Sequence, residues 1–100
     1  MNNTILKLKQ QSQQIINLIN TTKKDLRATN YKETKDEYAI FKIEDSIKNL
    51  NKIAREVKGI SSLLNYDSIT DEDIDRYKKQ LVLNDGLTNY YLGIINLYLK

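Results

Sequence analysis

The sequence predicts an all-α protein, an antiparallel up-down-up bundle of three helices. The 100-residue chain contains no Pro and three Gly, so long helices can run without proline kinks. Three long segments carry apolar residues at alternating three- and four-residue spacing, which keeps side chains on one side of a helix. No linker or composition change divides the chain. We therefore expect residues 1–100 to form a single helical-bundle domain.

The segment from Tyr38 to Leu64 is predicted to be the central helix because its apolar face is the widest. A second row, Ile53 and Ile60, lies beside its main row, which consists of Ile40, Ile43, Ile47, Leu50, Ala54, Val57, Ser61 and Leu64. At roughly 100° per residue the two rows cover an arc of about 160°. An arc this wide indicates packing against two neighbouring helices. The predicted core, over all three helices, consists of Ile15, Ile19, Ile43, Ile47, Leu50, Val57, Leu64, Ile74, Leu81, Tyr91 and Ile95.

The first helix is predicted to run from about Thr4 to Ala28 with a narrow apolar stripe. The stripe consists of Ile5, Leu8, Ser12, Ile15, Ile19, Thr22 and Leu26. The opposite face is polar and almost uncharged, and it is made of Gln10, Gln13, Gln14, Asn17, Asn20 and Lys24. A polar outer face of this kind is typical of a helix side that water covers.

Two helix starts are suggested between the first and second long segments. Asn30 followed by Glu33 fits a capping box, and Thr34 followed by Glu37 fits one equally well. Residues 31–37 are therefore either helical or a charged lead-in to the central helix.

The start of the third helix has the clearest local signal. Thr70 is a predicted N-cap with Asp73 at its third helical position, and Ile69 and Ile74 have the spacing of a hydrophobic staple. Acidic residues 71–73 suit the positive end of the helix dipole. We expect this helix to run from Asp71 to Leu99.

The third helix carries two apolar stripes. The first consists of Ile74, Tyr77, Leu81, Thr88, Tyr91, Ile95 and either Tyr98 or Leu99. The second consists of Leu83, Leu87, Tyr90, Ile94 and Leu97. A break at Asn84-Asp85-Gly86 would make the fold a four-helix bundle, because Gly disfavours a helix interior. The first stripe keeps its phase across Gly86, which favours a continuous helix.

The residue types present argue against catalysis and against a bound metal or cofactor. The chain has no Cys and no His, so the commonest metal ligands and the commonest general base are missing. Asp71, Asp73 and Asp75 resemble the start of a calcium-binding loop, but Arg76 and Val82 stand where that loop needs Gly and Glu. We expect a protein that is not an enzyme, with no cofactor and no small-molecule substrate.

Further expectations concern location and source. No apolar run approaches the roughly 20 residues that span a bilayer, and no apolar leader follows Met1. A cytoplasmic protein without membrane contact is predicted. The abundance of Lys, Asn and Ile, whose codons are AT-rich, indicates an AT-rich bacterium, phage or mobile element as the source.

The first of two functional hypotheses is nucleic-acid binding by the central helix. Its candidate residues are Lys48, Lys52, Arg55 and Lys58, spaced four, three and three. Such a row can neutralise phosphates. Acidic residues interleave with it, and Glu44–Lys48 and Lys52–Glu56 have the spacing of intrahelical ion pairs. We therefore retain nucleic-acid binding as the alternative.

The second hypothesis is a protein-interaction module of adaptor or inhibitor type. A helix in a three-helix bundle touches two others, and one apolar stripe is enough for those contacts. If the first stripe of the third helix faces the core, then the second stripe (Leu83, Leu87, Tyr90, Ile94 and Leu97) faces outward. An outward stripe predicts either a homodimer or a protein partner.

Overall fold

The structure, a computed structural model, describes residues 3–100 and is all-α. The helices are α1 (Asn3–Arg27), α2 (Tyr31–Thr34), α3 (Glu37–Leu63) and α4 (Asp71–Leu99). The described residues contain no strand. The three long helices begin and end within one residue of the predicted segments. The predicted helical bundle is confirmed, with α2 added as a short turn of helix.

The three long helices alternate in direction along an elongated body. The ring of Tyr38, at the start of α3, lies 5.8 Å from the ring of Tyr98, at the end of α4. Leu26 and Ile95, near the ends of α1 and α4, line one cleft. Thus α3 is antiparallel to both α1 and α4. The body measures 50 × 20 × 16 Å.

The core lies along the common axis of the three long helices. Most of the predicted core residues are buried, namely Ile15, Ile19, Ile43, Leu50, Val57, Leu64, Leu81 and Ile95. Ile47, Ile74 and Tyr91 are only half-buried and pack against the margin of the core. Ile47 lines an open cleft, and Ile74 belongs to the first turn of α4 at one end of the bundle. Periodicity predicted the correct helix face for these three residues and overestimated how deeply they are buried.

Four polar side chains are buried with this core. The hydroxyls of Ser12, Ser46 and Thr88 donate to carbonyl oxygens four residues earlier in their own helices, at 2.9, 2.9 and 2.7 Å. Asn84 is 2% exposed, and its side-chain NH₂ has no hydrogen-bond partner among residues 3–100. An unpaired buried donor destabilises the fold by about 1–3 kcal/mol.

Helix α4 passes through Asn84-Asp85-Gly86 without interruption, so the predicted alternative of a break there is wrong. Asn84 faces the core, and its carbonyl accepts the hydrogen bond from Thr88. The glycine has no positive φ, which means that the helix continues through it with ordinary geometry. The additional helix is α2, elsewhere in the chain.

The N-terminus of α4 has the predicted capping box. The Thr70 hydroxyl accepts from the Asp73 N–H, and the Asp73 carboxylate accepts from the Thr70 N–H, both at 3.1 Å. The bond from the Thr70 N–H lowers the pKa of Asp73 below its usual range, and Arg76 at 2.9 Å adds to this. Ile69 and Ile74 are half-buried beside the core, as a hydrophobic staple requires.

The start of α3 differs from both predicted capping boxes. Its N-cap is Asp36, whose carboxylate accepts from the Ala39 N–H at 2.8 Å. Asn30 precedes α2 and makes no side-chain cap, while Thr34 lies within α2 and donates to the Asn30 carbonyl at 2.9 Å. The turn of α2 buries Tyr31, which explains why the chain forms helix there before α3 begins.

Candidate interaction surface

The second stripe of α4 lies on the surface of the bundle. We call Leu83, Leu87, Tyr90, Ile94 and Leu97 the outer stripe. Leu83, Tyr90 and Leu97 are 62%, 61% and 64% exposed, and Leu87 is 37% exposed. Ile94 is half-buried. The outer stripe therefore presents large apolar side chains to water over about four turns of helix.

The outer stripe is exposed because α4 has more apolar surface than its two neighbours can cover. The inner row of Tyr77, Leu81, Thr88 and Ile95 is buried against α1 and α3. At about 100° per residue, the outer stripe lies roughly 120° around the helix from that row. Helices α1 and α3 are strongly amphipathic, whereas α4 is only weakly so.

Tyr38, at the start of α3, extends this surface at one end, and Phe41 is a second exposed aromatic residue of that helix. Tyr38 and Phe41 are each 61% exposed. The Tyr38 ring contacts the edge of Tyr98, which lies one turn after Ile94 on α4. Sequence reasoning missed both aromatics as surface residues. Their signal was that neither fits the spacing of the predicted core row of α3.

The part of α4 that carries the outer stripe has almost no charge. Asp85 is the only charged residue among residues 80–99. Its position is about 160° around the helix from Leu83. Apolar side chains without interspersed charges are what distinguishes a contact surface from an ordinary solvated helix face.

A cleft of about 390 Å³ lies at the corner between α1 and α2. Its lining includes Leu26, Tyr31 and Ile47, with Lys23 and Arg27 among the polar residues. The volume is within the range of small-molecule sites. The lining contains no buried polar side chain that lacks a partner, judged over residues 3–100. The cleft therefore has room for a small ligand, but no buried, unpartnered polar group in its lining points to one.

The basic row of α3 is also on the surface, since Lys48, Lys52, Arg55 and Lys58 are all exposed. Within the described part of the chain, none of the four forms an ion pair with a carboxylate. The predicted Glu44–Lys48 and Lys52–Glu56 pairs are absent there, and Glu44 instead lies 3.6 Å from Lys32. These four cations remain free to meet an anionic partner.

Other site types find no counterpart in residues 3–100. No group of three or more His, Cys, Asp or Glu side chains is arranged to hold a metal ion in that part of the chain. Asp73 is engaged with Thr70, and Asp75 lies 3.1 Å from Lys79. No helix between residues 3 and 100 combines the length and apolar character needed to cross a membrane.

Comparison with known proteins returned no match to a protein-family model, a curated protein or a solved structure.

Proposed function

We propose that this chain is a non-enzymatic protein-interaction module of adaptor or inhibitor type that binds through the outer stripe of α4. The observation that carries the proposal is the exposure of Leu83, Tyr90 and Leu97 on a helix face without interspersed charge. Helix-mediated recognition uses apolar anchors at i, i+3, i+4 and i+7. Leu83, Leu87, Tyr90, Ile94 and Leu97 follow this spacing over two heptads.

The energy available from covering the outer stripe is large enough for binding. Fully burying a Leu, Ile or Phe side chain contributes roughly 1.5–3 kcal/mol, and a half-exposed one regains about half of that. Five such side chains contribute about 4–8 kcal/mol on this side of an interface, and a matching partner surface contributes a similar amount. Association costs about 4–15 kcal/mol, so a gain of about 8–16 kcal/mol from the two surfaces together is of the size that binding needs.

Tyr90 is the best candidate for an anchor within the stripe. Tyrosine is enriched at binding hot spots because a rigid ring offers contact area together with a polar tip. The Tyr90 ring meets the neighbouring Tyr91 ring edge-on, with centroids 5.1 Å apart. This contact restricts the Tyr90 side chain, so less conformational entropy is lost when a partner covers it.

The test is the double substitution Leu87→Glu with Ile94→Glu, which places two charges in the outer stripe. We expect a folded helical protein by circular dichroism that has lost self-association or its protein partner. A matched control is Gln13→Glu with Asn17→Glu, because both residues are exposed on the outer face of α1. The control adds the same charge and is expected to bind as the wild type does.

Binding is measured by light scattering for self-association and by purification of the tagged protein from its native host for other partners. Loss of either interaction in the stripe variant alone supports the proposal. If the stripe variant is unfolded, then the stripe belongs to the monomer core and the proposal fails. It also fails if wild type, control and stripe variant behave alike in both measurements.

The alternative function is nucleic-acid binding by Lys48, Lys52, Arg55 and Lys58. It is supported by the exposure of all four cations and the lack of acidic partners for them within residues 3–100. Binding through phosphate contacts weakens steeply as salt concentration rises. A gel shift with mixed DNA and RNA at low salt, repeated with Lys52→Gln and Arg55→Gln, tests it. No shift at micromolar protein would remove this alternative.

A further inference from the structure

The outer stripe of α4 has a nearly symmetric arrangement about Tyr90. Leu83 lies seven residues before Tyr90, and Leu97 lies seven residues after it. Gly86 lies four residues before Tyr90, and Ile94 lies four residues after it. Leu87 lies three residues before Tyr90, and Gly93 lies three residues after it. Each glycine is therefore matched by a large apolar residue. Reversing the helix about Tyr90 therefore places leucine opposite leucine and a large side chain opposite each glycine.

Neither Gly86 nor Gly93 is required by the monomer. Neither has a positive φ, and a Cβ added at either position meets no atom within 4 Å. Alanine would stabilise the helix at both positions. A glycine on a helix surface becomes useful where another backbone or a large side chain approaches closely. Here both glycines border the exposed apolar stripe.

We propose that the occupant of the outer stripe is a second copy of this chain, bound through an antiparallel α4–α4 contact whose two-fold axis passes at Tyr90. This inference rests on the proposed function, because it names the partner of the same surface. Tyr90 meets its own copy at the axis. Leu83 of each copy meets Leu97 of the other, and Leu87 and Ile94 pack over the glycines of the other copy.

Charge and shape both favour self-pairing. Each copy carries a formal charge of +3, so a two-fold contact is least unfavourable where it places no like charges opposite one another. The outer stripe meets this condition because its residues carry no charge. A two-fold contact requires one patch that is complementary to itself, and the matched large and small residues about Tyr90 supply that complementarity.

Cysteine cross-linking tests the register directly, because the chain has no cysteine of its own. In the full-length protein, Tyr90→Cys is expected to form a disulfide-linked dimer under mild oxidation, since the two sulfurs meet at the axis. Leu83→Cys and Leu97→Cys are expected to cross-link when mixed and not when alone. In each single variant the two cysteines lie about 21 Å apart along the helix.

Asn89→Cys is the matched control, because Asn89 is exposed on α4 and adjacent to Tyr90 but points about 100° away from it. We expect it to form disulfide-linked dimers only at the background level that random collisions produce. The mixture of Leu83→Cys with Leu97→Cys retains Tyr90, so it reports the register even if Tyr90→Cys weakens the dimer. We expect the mixed pair to exceed either single variant by at least about tenfold in cross-linked dimer.

Three results would overturn the inference. Wild type that is monomeric by light scattering throughout the micromolar range excludes the dimer. Disulfide formation by Leu83→Cys alone indicates parallel pairing. If wild type is a dimer but neither Tyr90→Cys nor the mixed pair forms a disulfide, then the dimer has another register. If wild type is monomeric and binds a protein partner that the variant Leu87→Glu with Ile94→Glu does not bind, then the proposed function holds and the second-copy inference fails.

Discussion

Helices α1 and α4 hold similar positions in the bundle and differ in what they show to water. Both are long, run in the same direction and pack against α3. The outer face of α1 carries uncharged polar residues such as Gln13, Asn17 and Asn20. The corresponding part of α4 carries Leu83 and Tyr90. The outer face of α1 shows that uncharged polar side chains are sufficient where a helix of this bundle contacts only water.

The comparison separates residues that the fold requires from residues that it does not. A bundle of three helices buries one stripe per outer helix, and beyond that stripe the only large apolar side chains that α1 exposes are the separate ones of Leu6 and Leu18. The most exposed members of the second stripe of α4, Leu83, Tyr90 and Leu97, contribute less to the stability of the monomer than the buried inner row does. Large exposed apolar residues that the fold does not require are typical of a surface that binds a partner.

The largest expected effect distinguishes the two faces of α4. Leu81→Ala removes a completely buried side chain and should lower the free energy of unfolding by about 2–5 kcal/mol. Leu83→Ala removes a side chain that is 62% exposed, and it should change the monomer by less than about 1 kcal/mol. Urea unfolding at low protein concentration measures both. Equal losses would show that the outer stripe is part of the monomer core.

The next largest effect concerns two buried polar side chains, Ser12 in α1, which has a hydrogen-bond partner, and Asn84 in α4, whose NH₂ has none within residues 3–100. Ser12 of α1 donates to the Leu8 carbonyl, whereas the Asn84 NH₂ of α4 has no partner within residues 3–100. Asn84→Leu has a similar volume and removes the unpaired donor, so it should stabilise the fold by about 1–3 kcal/mol. Thermal unfolding monitored by circular dichroism measures the change. A lower melting temperature would mean that the amide makes a favourable interaction.

A smaller effect separates a glycine in the outer stripe from one elsewhere. Gly59 of α3 and Gly93 of α4 both have open space around an added Cβ. Replacing either by Ala should raise monomer stability by about 1 kcal/mol. Gly93→Ala should in addition weaken the proposed dimer several-fold, because its methyl group would occupy the space that Leu87 of the second copy fills there. Equal dimer affinity in Gly59→Ala and Gly93→Ala contradicts close packing at this glycine.

The smallest effect concerns the capped start of α4. The pKa of Asp73 is lowered by the hydrogen bond from the Thr70 N–H, so the folded state favours the ionised carboxylate. This contribution is present above the unfolded pKa of about 3.9 and is lost as pH falls through the lower folded pKa. Asp73→Ala should therefore lose stability at neutral pH and show a shallower decline in acid. An unchanged acid profile in urea unfolding would contradict this.

The sequence predicted the long helices well because three-four periodicity and the Thr70–Asp73 box are strong local signals. It placed the start of α3 to within one residue but offered the wrong caps, since several capping residues within residues 30–37 compete and the short helix α2 depends on burial of Tyr31. The sequence also offered a helix break at Asn84-Asp85-Gly86, because these residue types favour turns. A propensity for turns was overridden by the packing of the inner row of α4.

The candidate surface was predictable in part. The spacing of Leu83, Tyr90 and Leu97 indicated a second face, but periodicity alone could not decide which face of α4 meets α1 and α3. It also could not place Tyr38, because its ring partner at the end of the surface, Tyr98, belongs to another helix. Contacts between distant parts of the chain decide such positions, and local patterns do not contain them.

The narrow cross-section of the bundle has a consequence for its internal motions. In a body 50 Å long and 16–20 Å wide, each layer of the core touches only the layers above and below it. The ends can therefore open while the middle stays folded, and amide hydrogen exchange should be graded along the long axis. Protection should be greatest near Ile15, Leu50 and Leu81, where layers exist on both sides. It should decrease toward residues 63–71, where the end of α3 and the start of α4 close the bundle.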